Sequence, residues 1–305
     1  MSNNKKLLEK WHQDVVLEGA QVMSKTRCAI CCMVRDCRTS LERNLEVINQ
    51  LRSQFSQSYL IIIENDSKDG TKELVCQLDQ EDDNTYIDSF LTGKVTLPKK
   101  MKSGVNPSFS EHRVQKMADY RNRYMTILED QVGLDHVDWV MMIDPDVRQI
   151  SIDGIKHSFG LESMWDVVHA NGRMKQGWFS DNYYDVYAFA EYGDYSVCTE
   201  QGLLLSMAKM QGVRYSMPLM LVRSGFNALA IYRAEALKGV RYQCKQNDDK
   251  RVEVRCEHVP FHDDLRDAGY TRQVLNPSMM VIYNTRTEAL WAWCKIIIRK
   301  YLLRA

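Results

Sequence analysis

Residues 138–147 read DWVMMIDPDV. Trp139 to Ile143 form an unbroken apolar run, and it passes directly into Asp144-Pro145-Asp146. A short, wholly apolar run reads as a strand buried on both faces, the kind found in parallel sheets covered by helices. Two more runs share this character, RCAICCMV at 27–34 and SYLIIIEN at 58–65. Between them, Leu41, Leu45, Val47, Ile48 and Leu51 recur with helical spacing over 40–53. GTKELVCQL, from Gly70, opens a further helix. Strand, helix, strand, helix is the pattern of an α/β fold built on a mostly parallel sheet with crossover helices.

Outward from that core the elements continue. Val114 to Gln131 reads as a long helix, and Trp165 to Ala170 as a strand. NYYDVYAF, 182–189, is a strand or the loop entering one. Leu219 to Tyr232 holds a strand pair around Gly225. VPFHDDLRDAG is a helix closed by Gly269, and MMVIY is the last strand. Residues 97–111, LPKKMKSGVNPSFSE, are rich in Lys, Ser, Gly and Pro and read as a mobile loop of the kind that serves as a lid. Three segments follow: a lead-in helix over 1–24, an α/β domain over 25–285 and an amphipathic helix over 286–305. The domain divides into a nucleotide-binding half, about 25–150, and an acceptor half, about 151–285.

The 305 residues carry 40 basic and 40 acidic side chains, a formal net charge of zero that argues against bulk nucleic-acid binding. Nine cysteines, an odd number, give no disulfide framework. Cys28, Cys31 and Cys32 sit in a buried strand with no second CxxC to complete a zinc site, so they read as free thiols of a reducing cytoplasm. The first residues, MSNNKKLLEKWHQDVV, have no apolar core of a secretory signal, and no run approaches the roughly 20 apolar residues of a membrane span. These features place the protein in the cytoplasm.

Three clusters carry chemistry. Asp144 and Asp146 leave the carboxyl end of a strand, where ligands bind in open α/β sheets. Two carboxylates spaced by one residue can share Mn²⁺ or Mg²⁺, with phosphate oxygens as further ligands. Read alone, Asp-Pro-Asp is equally a turn. ENDSKDGT, 64–71, also leaves a buried strand. Glu64 and Asp69 there suit a ribose or base edge, while Ser67, Asp69 and Thr71 suit a helix cap. Arg113, Arg121 and Arg123 on the helix before the DPD strand suit phosphate oxygens, or a solvated face.

In order, IIIENDSKDGT, MADYRNRYM and DWVMMIDPDV resemble nucleotide-sugar transferases of the GT-A fold. The set is most similar to the fungal capsule-associated α-1,3-mannosyltransferases, and more faintly to the mannan-polymerase type. NYYDVYAF, SGFNALAIY, CEHVPFHDDLRDAGY and LNPSMMVIY agree, so the likeness runs from about Cys28 to Asn284. It implies a divalent-metal-assisted glycosyltransferase taking a nucleotide-sugar donor and a glycan or lipid-linked acceptor. Glu64 and Asp69 would lie at the nucleoside. Arg121 would reach the diphosphate. Asp144 would serve donor and metal, with Asp146 as the second ligand. Asp185 would lie near the reacting sugar, and Glu257 near the acceptor hydroxyl.

The position after VIY is Asn284, where many GT-A enzymes keep a metal-binding histidine. His258 or His262 can substitute, and Asp263 and Asp264 beside His262 favour it. In an inverting reaction Glu257 or Asp263 is the base. Retention, toward which the capsule-type likeness leans, needs none so strong. The last helix carries Trp291, Trp293 and Ile296–Ile298 with Lys295, Arg299, Lys300 and Arg304. It suits an anionic membrane surface at the inner face, or docking on the core with a basic outer side. A nucleotidyltransferase would use the same carboxylates but wants a Gly-rich phosphate loop, which RCAICCMVRDCRTS lacks. A non-catalytic nucleotide-sugar-binding module would not need the aspartate pair.

Overall fold

The computed structural model describes residues 3–93, 97, 104–176 and 180–290. Among them the elements run α1 (Asn3–Met23), β1 (Arg27–Val34), α2 (Arg38–Arg52), β2 (Gln57–Asn65), α3 (Thr71–Glu81), β3 (Thr85–Phe90), α4 (Glu111–Ile127), β4 (Trp139–Ile143), β5 (Gln149–Ile150), α5 (Ile152–Gly160), β6 (Val167–Gln176), β7 (Ser180–Tyr183), β8 (Ala190–Glu191), α6 (Glu200–Met210), β9 (Met220–Ser224), β10 (Leu229–Arg233), α7 (His258–Asp267) and β11 (Gln273–Ile282). The final helix of the sequence reading starts over 286–290; Trp291 to Ala305 lie outside the described residues.

One sheet orders the strands β3-β2-β1-β4-β10-β6-β11-β9-β8, with β5 on β11 and β7 on β6. β3, β2, β1 and β4 pair in parallel, as do β6 and β11. β10 lies antiparallel between β4 and β6, and β9 antiparallel to β11. The α/β architecture and mostly parallel strand direction expected from the sequence are observed.

Both faces of the central strands are covered, and side chains alternate between them. Cys28, Ile30 and Cys32 of β1, Leu60 and Ile62 of β2, and Trp139, Met141 and Ile143 of β4 meet α2 and α5 through Leu41, Ile48, Leu51, Ile155 and Phe159. Ala29, Cys31, Ile61, Ile63, Val140 and Met142 point the other way. There they meet Tyr124 and Met125 of α4 and Val259, Phe261 and Leu265 of α7. This double burial is why the strands read as unbroken apolar runs. Cys28, Cys31 and Cys32 are buried free thiols inside it.

Three elements differ from the sequence reading. The long helix ends at Ile127 and gives way to a π turn, Leu128–Val132. α5 and α6 carry no clean helical periodicity. α5 is held from both sides instead: a Cβ at Gly154 would lie 2.4 Å from Ser278 O of β11, and one at Gly160 only 2.1 Å from Val15 O of α1. Close backbone approach, not an apolar stripe, fixes that helix. No helix among the described residues is long and apolar enough to cross a membrane.

Candidate active site

β4 stops at Ile143, and Asp144 turns away from the sheet edge. The turn is fastened from two sides. Asp144 N donates to Ala228 O at 2.9 Å, the continuation of the β10 pairing. From α2, buried Asn44 Nδ2 donates to Pro145 O and Val147 O, both at 2.7 Å, and Arg43 donates to Val147 O at 2.9 Å. Asp146 is exposed, while Asp144 keeps about a quarter of its side-chain surface, 27%.

A cavity of about 190 Å³ opens beside Asp144. Arg113, Met117 and Arg121, one face of α4, form one wall. Asp144, Tyr184, Asp185 and Tyr187 form another, and Phe226, Cys256, Glu257 and His258 close it. Ser108 and Phe109, the described end of the stretch expected as a lid, border it too; 98–103 lie outside the described residues.

Arg121 is the hub. Its Nε donates to Glu257 Oε1 at 3.1 Å and its Nη2 to Asp144 Oδ2 at 3.5 Å. Its guanidinium lies 4.7 Å above the Phe226 ring and 5.7 Å from that of Tyr242. It is 3% exposed, and its permanent positive charge lies between two carboxylates. Burial pushes the Asp144 carboxyl up to about 7, with Asp146 and Asp185 adding to the shift and Arg121 opposing it. Burial also raises Asp185 above the ordinary carboxylate range, and the charge of Glu257 contributes.

Asp185 is held by its backbone and by one oxygen. Its N donates to Asn227 Oδ1 at 3.2 Å, and its Oδ1 accepts from Ala188 N at 3.2 Å. Asn227 and Ala228 take left-handed backbone angles, φ 57° and 65°. This tight corner aims the Asn227 amide at Asp185 and at the Tyr183 hydroxyl. Asn44 and Asn227 were not singled out as site residues in the sequence. Only their tertiary partners reveal that they hold Asp144 and Asp185.

The structure brings Arg121, Asp144, Asp185 and Glu257 into one cavity and places four other expected residues, Glu64, Asp69, Asp263 and His262, outside its lining. Glu64 is fully buried, and its carboxylate accepts from Ser67 N at 2.9 Å and Ser89 Oγ at 2.5 Å. Asp69 accepts from Arg38 N, Thr71 N and Thr71 Oγ1 at 2.6–3.0 Å. Both carboxylates brace the loop after β2, Glu64 from the interior and Asp69 at its exposed surface. Asp263 is bidentate to Arg223, at 2.8 and 2.6 Å, and does not line the cavity, which removes it as the base. His262 is 0% exposed. Ser224 Oγ donates to Ala188 O at 2.7 Å and so accepts from His262 Nδ1 at 2.9 Å; Tyr232 OH donates to Nε2 at 3.0 Å. With both nitrogens engaged, His262 has no lone pair left for a metal. His258 is the histidine that reaches the cavity.

The carboxylates suit a divalent cation only in part. Asp144 and Asp146 offer two hard oxygen donors, with burial raising the Asp144 carboxyl and Asp146 and Asp185 adding to that shift. Among the described residues no cluster of three His, Cys, Asp or Glu side chains could hold a metal ion. The pair is a half-site, and diphosphate oxygens are the ligands that would complete it.

A family model described as Cryptococcal mannosyltransferase 1 matches residues 27–264. No curated protein sequence matches the chain. Among solved structures, a mannosyltransferase from Pyrobaculum calidifontis in complex with GDP-Man and Mn²⁺ is 11% identical, with 94% of this chain and 69% of that one covered and a TM-score of 0.44. S. aureus TarS 1–349 is 14% identical, with 89% and 64% covered and a TM-score of 0.42. A mycobacterial protein is 13% identical, with 89% and 71% covered and a TM-score of 0.45. These structural likenesses are too distant to carry an argument about chemistry.

Proposed function

The chain belongs to the Cryptococcal mannosyltransferase 1 family and is a glycosyltransferase, and from that premise we propose that it moves a mannosyl group from a nucleotide-diphosphate donor to a hydroxyl of a glycan or lipid-linked acceptor. The observation that carries the reading is the convergence of Arg121, Asp144, Asp185 and Glu257 on one cavity at the carboxyl end of β4.

Each group has work to do in such a transfer. The glycosidic C–O bond to the β-phosphate breaks, and negative charge builds on the leaving diphosphate. Arg121 sits where it stabilises that charge, with its fork already desolvated and oriented. A divalent ion, when bound, would be held by Asp144 and Asp146 and would supply further neutralisation of the diphosphate. Glu257 and Asp144 hold Arg121 in place when no donor is present. The aromatic side chains Phe109, Tyr184, Tyr187 and Phe226 line the cavity and would exclude water around a bound sugar.

The family resemblance favours retention of the anomeric configuration. A second reading has one observation behind it. Asp185 lines the cavity with one oxygen bonded to Ala188 N, and its carboxyl is raised by burial. In an inverting reaction it is better placed than arginine-paired Glu257 to take the acceptor proton. Incubation with GDP-mannose, UDP-glucose and UDP-GlcNAc on a mannoside acceptor, with NMR of the product, tests both. Transfer from GDP-mannose alone supports the donor reading. Release of no nucleoside diphosphate from any donor sinks it, and the anomeric signal chooses between the two stereochemical routes.

A further inference from the structure

His258, the first residue of α7, is 1% exposed and lines the cavity. Neither ring nitrogen has a hydrogen-bond partner among the described residues. Buried polar atoms are almost always paired, so an imidazole with both nitrogens unpaired beside a reaction cavity requires a reason. Its orientation is not loose. The ring stacks on Phe226 with centroids 4.2 Å apart and planes at 20°, and meets Tyr242 edge-on at 5.4 Å and 89°. Two aromatic contacts thus fix the ring and provide no hydrogen bond.

The surrounding charges select what it can receive. Burial and the adjacent Arg121 keep the imidazole neutral, and among the described residues it belongs to no cluster of three His, Cys, Asp or Glu side chains that could hold a metal ion. Glu257 Oε1 lies 3.9 Å from Nε2, too far for a hydrogen bond but near enough to repel an anion. A neutral group that both donates and accepts remains. We propose that His258 is a specificity-determining residue that hydrogen-bonds a hydroxyl of a hexose, either the one transferred or the one accepting it. The inference rests on the glycosyl-transfer reading of this cavity. A neutral imidazole holds one N–H and one lone pair, and a sugar hydroxyl can satisfy either.

The test is His258→Phe, which keeps the aromatic stack and removes both nitrogens, beside His258→Gln, which keeps a donor and an acceptor. Thermal melts, Mn²⁺ binding, GDP-mannose binding and transfer to a mannoside are measured for both and for the wild type. His258→Phe should melt at or above the wild-type temperature, because two unpaired buried polar atoms are gone. Its kcat/KM for transfer should nevertheless fall about tenfold or more, the scale of one lost hydrogen bond, with part of the loss recovered in His258→Gln. Weaker GDP-mannose binding assigns the hydroxyl to the donor sugar, and a raised acceptor KM at unchanged donor binding assigns it to the acceptor. Transfer by His258→Phe within twofold of wild type overturns the inference. So does loss of Mn²⁺ binding without nucleotide, which would make His258 a metal ligand. If His258→Phe does not fold, His258→Leu carries the test: a loss of about tenfold or more in kcat/KM, partly recovered in His258→Gln, supports the inference, and wild-type activity in His258→Leu overturns it. Wild-type protein that neither binds nor turns over any nucleotide sugar overturns the transfer reading itself, and this inference with it.

Discussion

Asn44 spends both amide hydrogens on the turn that presents Asp144, donating to Pro145 O and Val147 O at 2.7 Å each. Asn44→Ala would strand the Pro145 carbonyl, while Arg43 still donates to Val147 O, a loss of about 1–3 kcal/mol in stability. The Asp144–Val147 turn would also lose one of its two side-chain ties to α2, leaving that of Arg43. Donor binding should fall with it, and chemical denaturation alongside donor titration checks both effects. Asp144 brings a pH dependence. Its carboxyl is raised by burial to about 7 from an ordinary 3.8. Without metal, this group favours the fold below about pH 4, and that contribution is lost as pH rises through about 7. Metal binding needs the carboxylate, so it should release a proton near neutrality and weaken by roughly tenfold per pH unit below about 7. Calorimetry of Mn²⁺ and nucleotide in buffers of different ionisation enthalpy, between pH 5.5 and 8, reads the sign. At this scale the sequence was legible in part. Asp144 and Arg121 stand out because a charged residue after an apolar strand or on the adjoining helix announces itself. Glu64, Asp69, Asp263 and His262 look alike in sequence, yet Ser89, Arg38, Arg223 and Ser224, 25 to 40 positions removed from them, bond their polar atoms. Side-chain partners across such separations leave no local signal.

Elements were more legible where burial on both faces erased the polar alternation. β1, β2 and β4 announce themselves as apolar runs for that reason. α5 did not, because IDGIKHSFG owes its helix to neighbours. Gly160 lets the Val15 carbonyl of α1 approach to where a Cβ would stand 2.1 Å away, and a Cβ at Gly19 would stand only 1.7 Å from Lys156 O of α5. Gly160→Ala should therefore push α1 off α5. The cost is about 1–3 kcal/mol, as for other overpacked contacts, despite the better intrinsic helix propensity of alanine. Hydrogen exchange should quicken in α1 and α5 and leave β1, β2 and β4 unchanged. A stabilised variant with unchanged exchange in α1 would show that the two helices are not in backbone contact.

Across the whole molecule, strand order does what no single element can. β4 sits between parallel β1 and antiparallel β10, and its carboxyl end therefore meets the corner at Asn227–Ala228 that aims Asp185. The start of α7 delivers Glu257 and His258 from the face of the sheet that α4 also covers, 113 residues or more along the chain from Asp144. The parallel beginning was readable from strand–helix alternation. The insertion of β10 between β4 and β6 was not, because nothing in LAIYR specifies a neighbour. The family match ends at residue 264, inside α7, yet β11 beyond it pairs with β6, β9 and β5, so the sheet that carries the site extends past the matched region. The central claim is that this assembled cavity binds a nucleotide-diphosphate sugar together with a divalent ion at Asp144. Isothermal titration of GDP-mannose into the wild type and into Asp144→Ala, each with and without Mn²⁺, tests it most directly. The account predicts Mn²⁺-dependent binding to the wild type and loss of that dependence in Asp144→Ala. Equal binding by both proteins, whether or not Mn²⁺ is present, would contradict it.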